Sequence, residues 1–342
     1  MENMKIQILS CHSVLEYDLA KLFTEMGHDV FSNGAYLDPK GHFSLPRPGI
    51  PEMKFDEEMA KLATLYPKTA LTKEMVEPFD VIIVMHTPEW LTCNWKLFRS
   101  LGKKIIWYSI GQSTPRVEQI VRFYKAEGLI VVRYSPKEAL IRNYAGQDDL
   151  IRFYKDQDEF SGWNGNNREV INFTQSLKGR RNFCHHDDIL RLMEGFNGKV
   201  YGIGNDDLGA MNGGELPFEM LKQKMRDARV FVYGGTWPAS YTLSMIEAML
   251  TGIPMVCIGQ DKAENIEGVE GQKFYEVHEM IDNGINGFVS DDIEYLRGKI
   301  SLLLQDQNLA KEIGQRGRKK AIQLFGKEEI KKQWKKLFER LT

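Results

Sequence analysis

What most constrains this chain is an alternation that runs along its whole length. Short apolar runs bounded by turn residues are each followed by a segment with helical spacing. "KIQILSC" (Lys5–Cys11) precedes "EYDLAKLFTEMGHDVF", in which Leu19, Leu22, Phe23 and Met26 mark one helical face. Gly27 ends that helix, and His28–Phe31 opens the next strand. The pattern returns with "DVIIVMH" (Asp80–His86), "KKIIWYSI" (Lys103–Ile110), the helix "RVEQIVRFYKAEG" and the strand "LIVVRYS". Uninterrupted apolar strands separated by helices predict a parallel sheet covered on both faces, an α/β class.

The apolar pattern lapses at "KDQDEFSGWNGNNRE" (Lys155–Glu169), which reads as a domain boundary. Beyond it the same grammar restarts: strand "VINFT", helix "DDILRLMEGF", strand "KVYGIG", helix "PFEMLKQKMRDA", strand "RVFVYGG". The expected architecture is therefore duplicated: two doubly wound halves with a cleft between them, binding ligands beyond the carboxyl ends of the strands. The expected division is residues 1–160, residues 168–325 and a final helix over residues 326–342. The Pro-rich stretch Leu37–Met53 reads as an irregular excursion at a domain face.

Bulk properties narrow the function classes. The 342 residues suit two domains of ordinary size, and 42% hydrophobic with 27% charged residues is a globular composition. A net charge of −2 argues against a chain built mainly to hold nucleic acid, so no stable nucleic-acid complex is expected. No apolar run approaches the roughly 20 residues of a membrane span. The start reads as a first strand and not as a signal segment. Four widely spaced cysteines, none in a CxxC pair, point to free thiols and a cytoplasmic location.

The segment "SYTLSMIEAMLTGIPMVCIG" (Ser240–Gly259) concentrates the chemistry. A helix starting near Leu243 presents free N–H groups and a positive dipole end to whatever precedes it. Ser240, Tyr241 and Thr242 lie there, a usable diphosphate cradle. Glu247 stands one turn inside among Met245, Ile246, Ala248 and Met249. Two readings follow from physics alone: a carboxylate that receives a ribose diol, or a solvated glutamate near a helix start.

Further segments appear in one order around it. "EVHEMIDNGINGFV" and "LRGKISLLLQDQNLAKEIGQRGRKKA" follow, while "KVYGIGND" and "LAKLFTEMGHDVF" precede it. Together these resemble the retaining glycosyltransferases of the large GT4-type family, across nearly the whole chain and most densely from Val230 to Phe325. The resemblance implies a GT-B fold: two Rossmann-like domains facing a cleft, with the C-terminal helix crossing back to the first domain. It implies an N-terminal acceptor domain, a C-terminal donor domain, and a metal-independent, retaining hexosyl transfer. No permanent cofactor is implied, only a UDP- or GDP-sugar as co-substrate.

By the same resemblance Glu247 holds the nucleotide ribose, and the turn Ser240, Tyr241, Thr242 and Leu243 holds the diphosphate, with Gly204 and Asn205 on the donor side. The family's first motif Glu falls at Ala239 and is absent; Thr242 stands for the usual Gly, and Gly234 and Gly235 are candidates to restore the lost room. A departing diphosphate needs cations, and "NFTQSLKGRR" offers Lys178, Arg180 and Arg181, of which the pair Arg180 with Lys178 is preferred. His86, at a strand end, occupies the family's catalytic histidine region; His12 and Ser13 face the acceptor or phosphate side. A second family histidine, near Ser109 or Ile110, is missing.

"CHHDD" (Cys184–Asp188) has metal-ligand residue types, but neighbours on a helix start point apart and no second ligand pair exists. No metal site is expected; Asp187 or Asp188 is read as the helix cap. The last helix sets Ile330, Trp334, Leu337, Phe338 and Leu341 on one face, which fits packing on the first domain, or at most peripheral membrane contact. The acceptor is left open among a glycan, a lipid-linked sugar, a protein and a modified nucleobase; Leu37–Met53, Trp90, Trp95 and Trp107 are candidates to shape its site. Two rivals share the scaffold: a nucleotide-sugar epimerase and a degenerate GT-B protein that binds without turnover.

Overall fold

A computed structural model describes residues 3–341 apart from 11, 33–35, 37–46, 48, 51–52, 54–69, 112 and 267–272. Most of Leu37–Met53 therefore lies outside the described residues, as does Cys11. The chain divides into two compact units, one formed by Met1–Tyr154 with Glu328–Thr342 and the other by Lys155–Lys327.

The first unit carries a parallel six-stranded sheet, in the order β2 (Asp29–Ser32), β1 (Lys5–Leu9), β3 (Val81–Met85), β4 (Lys104–Tyr108), β5 (Ile130–Arg133) and β6 (Asp149–Leu150). The register pairs Lys5 with Asp29 on one side of β1 and Leu9 with Val84 on the other. Strand order reverses at β1 and β3, and the crevice beyond their carboxyl ends is where open sheets of this kind generally bind ligands. One face of the sheet (Leu9, Ile82, Val84, Trp107, Val131) is covered by Trp90, Leu91, Phe98 and Val121. Trp90, Trp95 and Trp107 are thus core residues at 0%, 6% and 2% exposure, and do not shape an acceptor surface.

Alternation turns Tyr108 to the opposite face. There its ring meets Trp334 edge-on at 5.3 Å, and Trp334 in turn packs 5.0 Å from Phe23. The apolar stripe of the final helix (Lys327–Glu339) is buried at Ile330, Trp334, Leu337 and Phe338, which explains why that helix belongs to the first unit despite its place in sequence. Burial of each such side chain is worth about 1.5–3 kcal/mol.

The second unit has its own parallel sheet, in the order β12 (Phe288–Ser290), β11 (Met255–Ile258), β10 (Ala228–Tyr233), β7 (Asn167–Phe173), β8 (Gly198–Tyr201) and β9 (Asn212–Gly214). Counted from β7, this is the doubly wound order whose switch point lies between its first and fourth strands, here β7 and β10. Asn172, buried in β7, ties that point by donating from Nδ2 to the Val232 carbonyl at 3.0 Å.

Helix Leu243–Thr251 follows β10 and is buried almost all round, from Met245 through Thr251. It stops at Gly252, whose φ of 91° is the left-handed cap that glycine adopts at least cost. Pro254 cannot extend the helix and leads into β11. Helix Gln307–Phe325 crosses so near this turn that a Cβ on Gly314 would lie 2.0 Å from the Gly252 carbonyl oxygen. A side chain there would force the two helices apart.

Candidate functional site

In the second unit, the chain leaving β7 and the chain leaving β10 meet at the switch point. Thr174–Leu177 is fastened to the turn after β8: the Leu177 N–H donates to Asn205 Oδ1 at 2.9 Å. Asn205 Nδ2 donates to the carbonyls of Thr174 at 2.7 Å and Gly202 at 3.0 Å. The Asn205 amide, 1% exposed, is thereby committed to holding the loop. Gly204 has a φ of 75° and packs on Ser176. These two residues shape the loop that carries the basic side chains.

Those basic side chains differ in their partners. Lys178 is exposed and stands 3.7 Å from Asp207. Arg181 is taken by Asp187, at 3.0 Å from Nε and 2.5 Å from Nη2. Arg180 is half-buried and, among the described residues, has no carboxylate at ion-pair distance. Its charge is felt instead by the buried Cys184 thiol, which burial pushes up and Arg180 draws down.

Helix His186–Met193 begins at His185, with φ 53° and ψ 44°, and has no side-chain cap. Asp187 and Asp188 are therefore not caps. Asp187 is claimed by Arg181 and by His186 Nδ1 at 2.8 Å, and Asp188 accepts from Lys262 at 3.2 Å; a charged donor outcompetes a backbone N–H for a carboxylate. Among the described residues no three His, Cys, Asp or Glu side chains group as metal ligands. Gly234 is closely packed on the side a side chain would occupy. A Cβ there would lie 3.0 Å from Ile189 and 3.3 Å from His185, so the missing side chain is filled by this helix.

The turn before helix Leu243–Thr251 has buried Ser240 and Tyr241, each 1% exposed. Thr242 is the N-cap, in an extended conformation that needs no glycine. Its N–H donates to the Tyr233 hydroxyl at 3.0 Å, so that amide is already used. The first turn carries no side-chain cap and no acidic residue, leaving its N–H groups as anion donors from Leu243 onward.

Glu247 is not a solvated glutamate. It is 4% exposed, and Oε1 lies 2.6 Å from Nζ of Lys155, itself 1% exposed. The Lys155 ammonium also stands 5.6 Å above the Phe160 ring. An isolated charge at such depth is costly, and the pairing offsets that cost for both side chains. Lys155 carries no local sequence signal that would have identified it.

In the first unit, His86 follows β3 and His12 follows β1, at the two sides of the switch point. His86 has φ 66°, a left-handed conformation that costs a non-glycine residue about 1 kcal/mol. Burial lowers its basicity, partly offset by Glu89. His12 caps helix Ser13–Glu25: its Nδ1 accepts the Leu15 N–H at 3.4 Å, and Ser13 is buried. Ser109, at the position of the family's missing second histidine, is buried and donates to Glu138 at 2.7 Å.

No family model matches the chain, and no curated protein matches it by sequence. Solved structures do match. HepE from Anabaena, solved with UDP and glucose, superposes with a TM-score of 0.63 at 15% identity, over 99% of this chain and 100% of that one. Sucrose-phosphate synthase from Thermosynechococcus elongatus gives 0.66 at 14% identity, over 99% of both chains. An α-glucosyltransferase solved with UDP and a 13-mer DNA containing an HMU base gives 0.61 at 14% identity, over 99% of this chain and 100% of that one. At such identities the likeness concerns the fold, and the fold is that of the GT-B glycosyltransferases.

Proposed function

We propose that this chain transfers a hexosyl group from a nucleoside-diphosphate sugar, with retention of configuration and without a metal, to an acceptor bound by the first unit. The observation that carries the reading is the convergence, at the β7/β10 switch point, of a cation with no acid partner among the described residues and a helix start with no side-chain cap. Both features favour a diphosphate. Structural neighbours solved with UDP support a nucleotide of this class.

In this reading Arg180 and the N–H groups opening helix Leu243–Thr251 take the negative charge that grows on the departing diphosphate. Stabilisation of developing charge by fixed dipoles is commonly the largest catalytic contribution. Lys178 lends weaker, solvent-screened support. Ser240, Tyr241 and Thr242 shape the cradle, while Gly204 and Asn205 hold its opposite wall. Glu247, paired with Lys155, receives the ribose hydroxyls. Retention follows when the acceptor attacks on the face the diphosphate leaves, the donor phosphate taking its proton. His86, with His12 and Ser13, serves the acceptor side of the first unit, and a cytoplasmic location fits the cysteine usage.

A panel of UDP-, GDP- and ADP-sugars, read by nucleotide release and thermal shift, tests the reading. Stabilisation by one nucleotide class and release on acceptor addition are the expected results. Stabilisation without release would instead favour a binding protein, and no stabilisation at all would remove the donor site. Proton NMR of the product must show the donor's anomeric configuration kept.

A further inference from the structure

Beside the basic loop of the second unit lies a small recess whose lining includes His185, Thr236, Trp237, Ala239, Glu264 and Tyr275. These residues come from the loops after β7 and β10 and from the segments after β11. Its polar groups are of two kinds. The Glu264 carboxylate is held by two donors, the Gln260 side chain at 3.2 Å and the Tyr275 N–H at 3.2 Å. Tyr275 is itself anchored, its hydroxyl donating to the Ile258 carbonyl at 3.0 Å. His185 is buried, and burial lowers the basicity of its imidazole. Against these acceptors stands one orphan donor: the buried indole N–H of Trp237 has no partner among the described residues.

This inventory selects a ligand chemistry. A carboxylate at the recess repels a phosphate, whereas Arg180 and the uncapped helix start attract one. Hydroxyl groups suit the recess because each donates to a carboxylate or imidazole nitrogen and accepts from an indole N–H. At Ala239 only a methyl group faces this space, so the wall formed by the loop after β10 brings no carboxylate of its own. Among the described residues the one carboxylate lining the recess arrives from helix Gln260–Glu264, outside the segment Ala239–Glu247.

We infer that Glu264 is the specificity-determining residue for the transferred sugar, its carboxylate accepting sugar hydroxyls in this recess while Trp237 donates to one of them. The inference rests on the reading of this unit as a nucleotide-sugar site. It orients the donor, with diphosphate toward Arg180 and sugar toward Glu264.

The test compares affinities for a nucleotide sugar and for its bare nucleoside diphosphate. The probes are UDP-glucose, UDP-galactose, UDP-N-acetylglucosamine, GDP-mannose and ADP-glucose with UDP, GDP and ADP, titrated calorimetrically into wild type, Glu264→Gln and Glu264→Ala. In wild type the preferred sugar nucleotide binds more tightly than its diphosphate. Both variants should lose that sugar-dependent increment, by about 10- to 100-fold as for a charge-assisted hydrogen bond, while their affinity for the bare diphosphate stays within about two-fold of wild type. Glu264→Gln keeps the side-chain volume and guards against a collapsed recess. An undiminished increment in Glu264→Gln overturns the inference alone, as does equal loss of diphosphate binding. A wild type that binds no nucleotide overturns the nucleotide-site reading, and this inference falls with it.

Discussion

Lys155 Nζ lies 2.6 Å from Glu247 Oε1, with the two side chains 1% and 5% exposed. The pair joins the first residue of the second unit to the helix that follows β10. Such a pair contributes little net stability against a well-packed apolar pair, yet removing one partner strands a buried charge at about 3–5 kcal/mol. Glu247→Ala should therefore lower unfolding free energy by that amount, measured in urea, as well as weaken nucleotide binding. Lys155→Met combined with Glu247→Leu should recover most of the stability but none of the nucleotide affinity. A double variant that binds nucleotide like wild type would confine Glu247 to structure.

Arg180 differs from its two basic neighbours in having no acid partner among the described residues. In the proposed reaction its guanidinium is the one that meets the departing diphosphate. Arg180→Ala should reduce kcat about 100-fold, on the scale of removing one preorganised donor to a developing oxyanion. Arg181→Ala and Lys178→Ala should change it by less than about three-fold, because one charge is neutralised by Asp187 and the other is largely screened. Initial rates of nucleotide release across the three variants check the ranking; equal losses would reject it.

The strands legible in the sequence are those buried on both faces. β1, β3, β4 and β10 are near-continuous apolar runs, and their buried residues mark the two sheet cores. The edge strands β6 and β9 were not legible, because Asp149–Leu150 and Asn212–Gly214 are too short and polar to carry a period. Local physics located the helix start at Leu243 and its glycine stop. It misjudged Asp187 and Asp188, since Arg181 and Lys262 compete for those carboxylates only once the loops are folded together. Lys155 and Glu264 were invisible for a related reason. Each acquires its role from a partner or recess distant in sequence, and neither lies in a pattern that a period or cap rule detects.

In the first unit a single guanidinium serves two buried carboxylates. Arg133 donates to both Glu118 oxygens at 2.8 Å and stands 3.6 Å from Glu138, with Tyr144 stacked on its other side at 4.7 Å. Glu118 takes most of the charge compensation and is held below the usual carboxylate range. Burial pushes Glu138 up to about 7, although Arg133, Ser109 and the Tyr134 and Ser135 N–H groups oppose the shift. The folded state therefore holds the Glu138 proton more tightly than the unfolded chain does. Stability linked to this group is fully present below pH of about 4.5, falls as pH rises, and is lost by about pH 7. Relative to Glu138→Gln, wild type should lose melting temperature across that interval and then level off. Thermal denaturation of both proteins from pH 4.5 to 8 measures this; parallel curves would exclude Glu138 as the titrating group.

His86 occupies the left-handed region at φ 66°, directly after β3 and at the switch point of the first unit's sheet. Glycine adopts this backbone without strain, though it loses more conformational entropy on folding, and the two effects are each about 1 kcal/mol. His86→Gly should accordingly melt near the wild-type temperature, while His86→Ala keeps the strain. If the backbone is held there to present the imidazole to an acceptor, His86→Gly should lower the transfer rate at least about ten-fold without changing affinity for the nucleotide. Burial lowers the imidazole's basicity, so the ring stays neutral into mildly acidic solution. The histidine-dependent part of the rate should then persist below the ordinary histidine range and vanish in His86→Gly at every pH. A pH profile of the variant parallel to wild type, at unreduced rate, would make His86 a structural residue only.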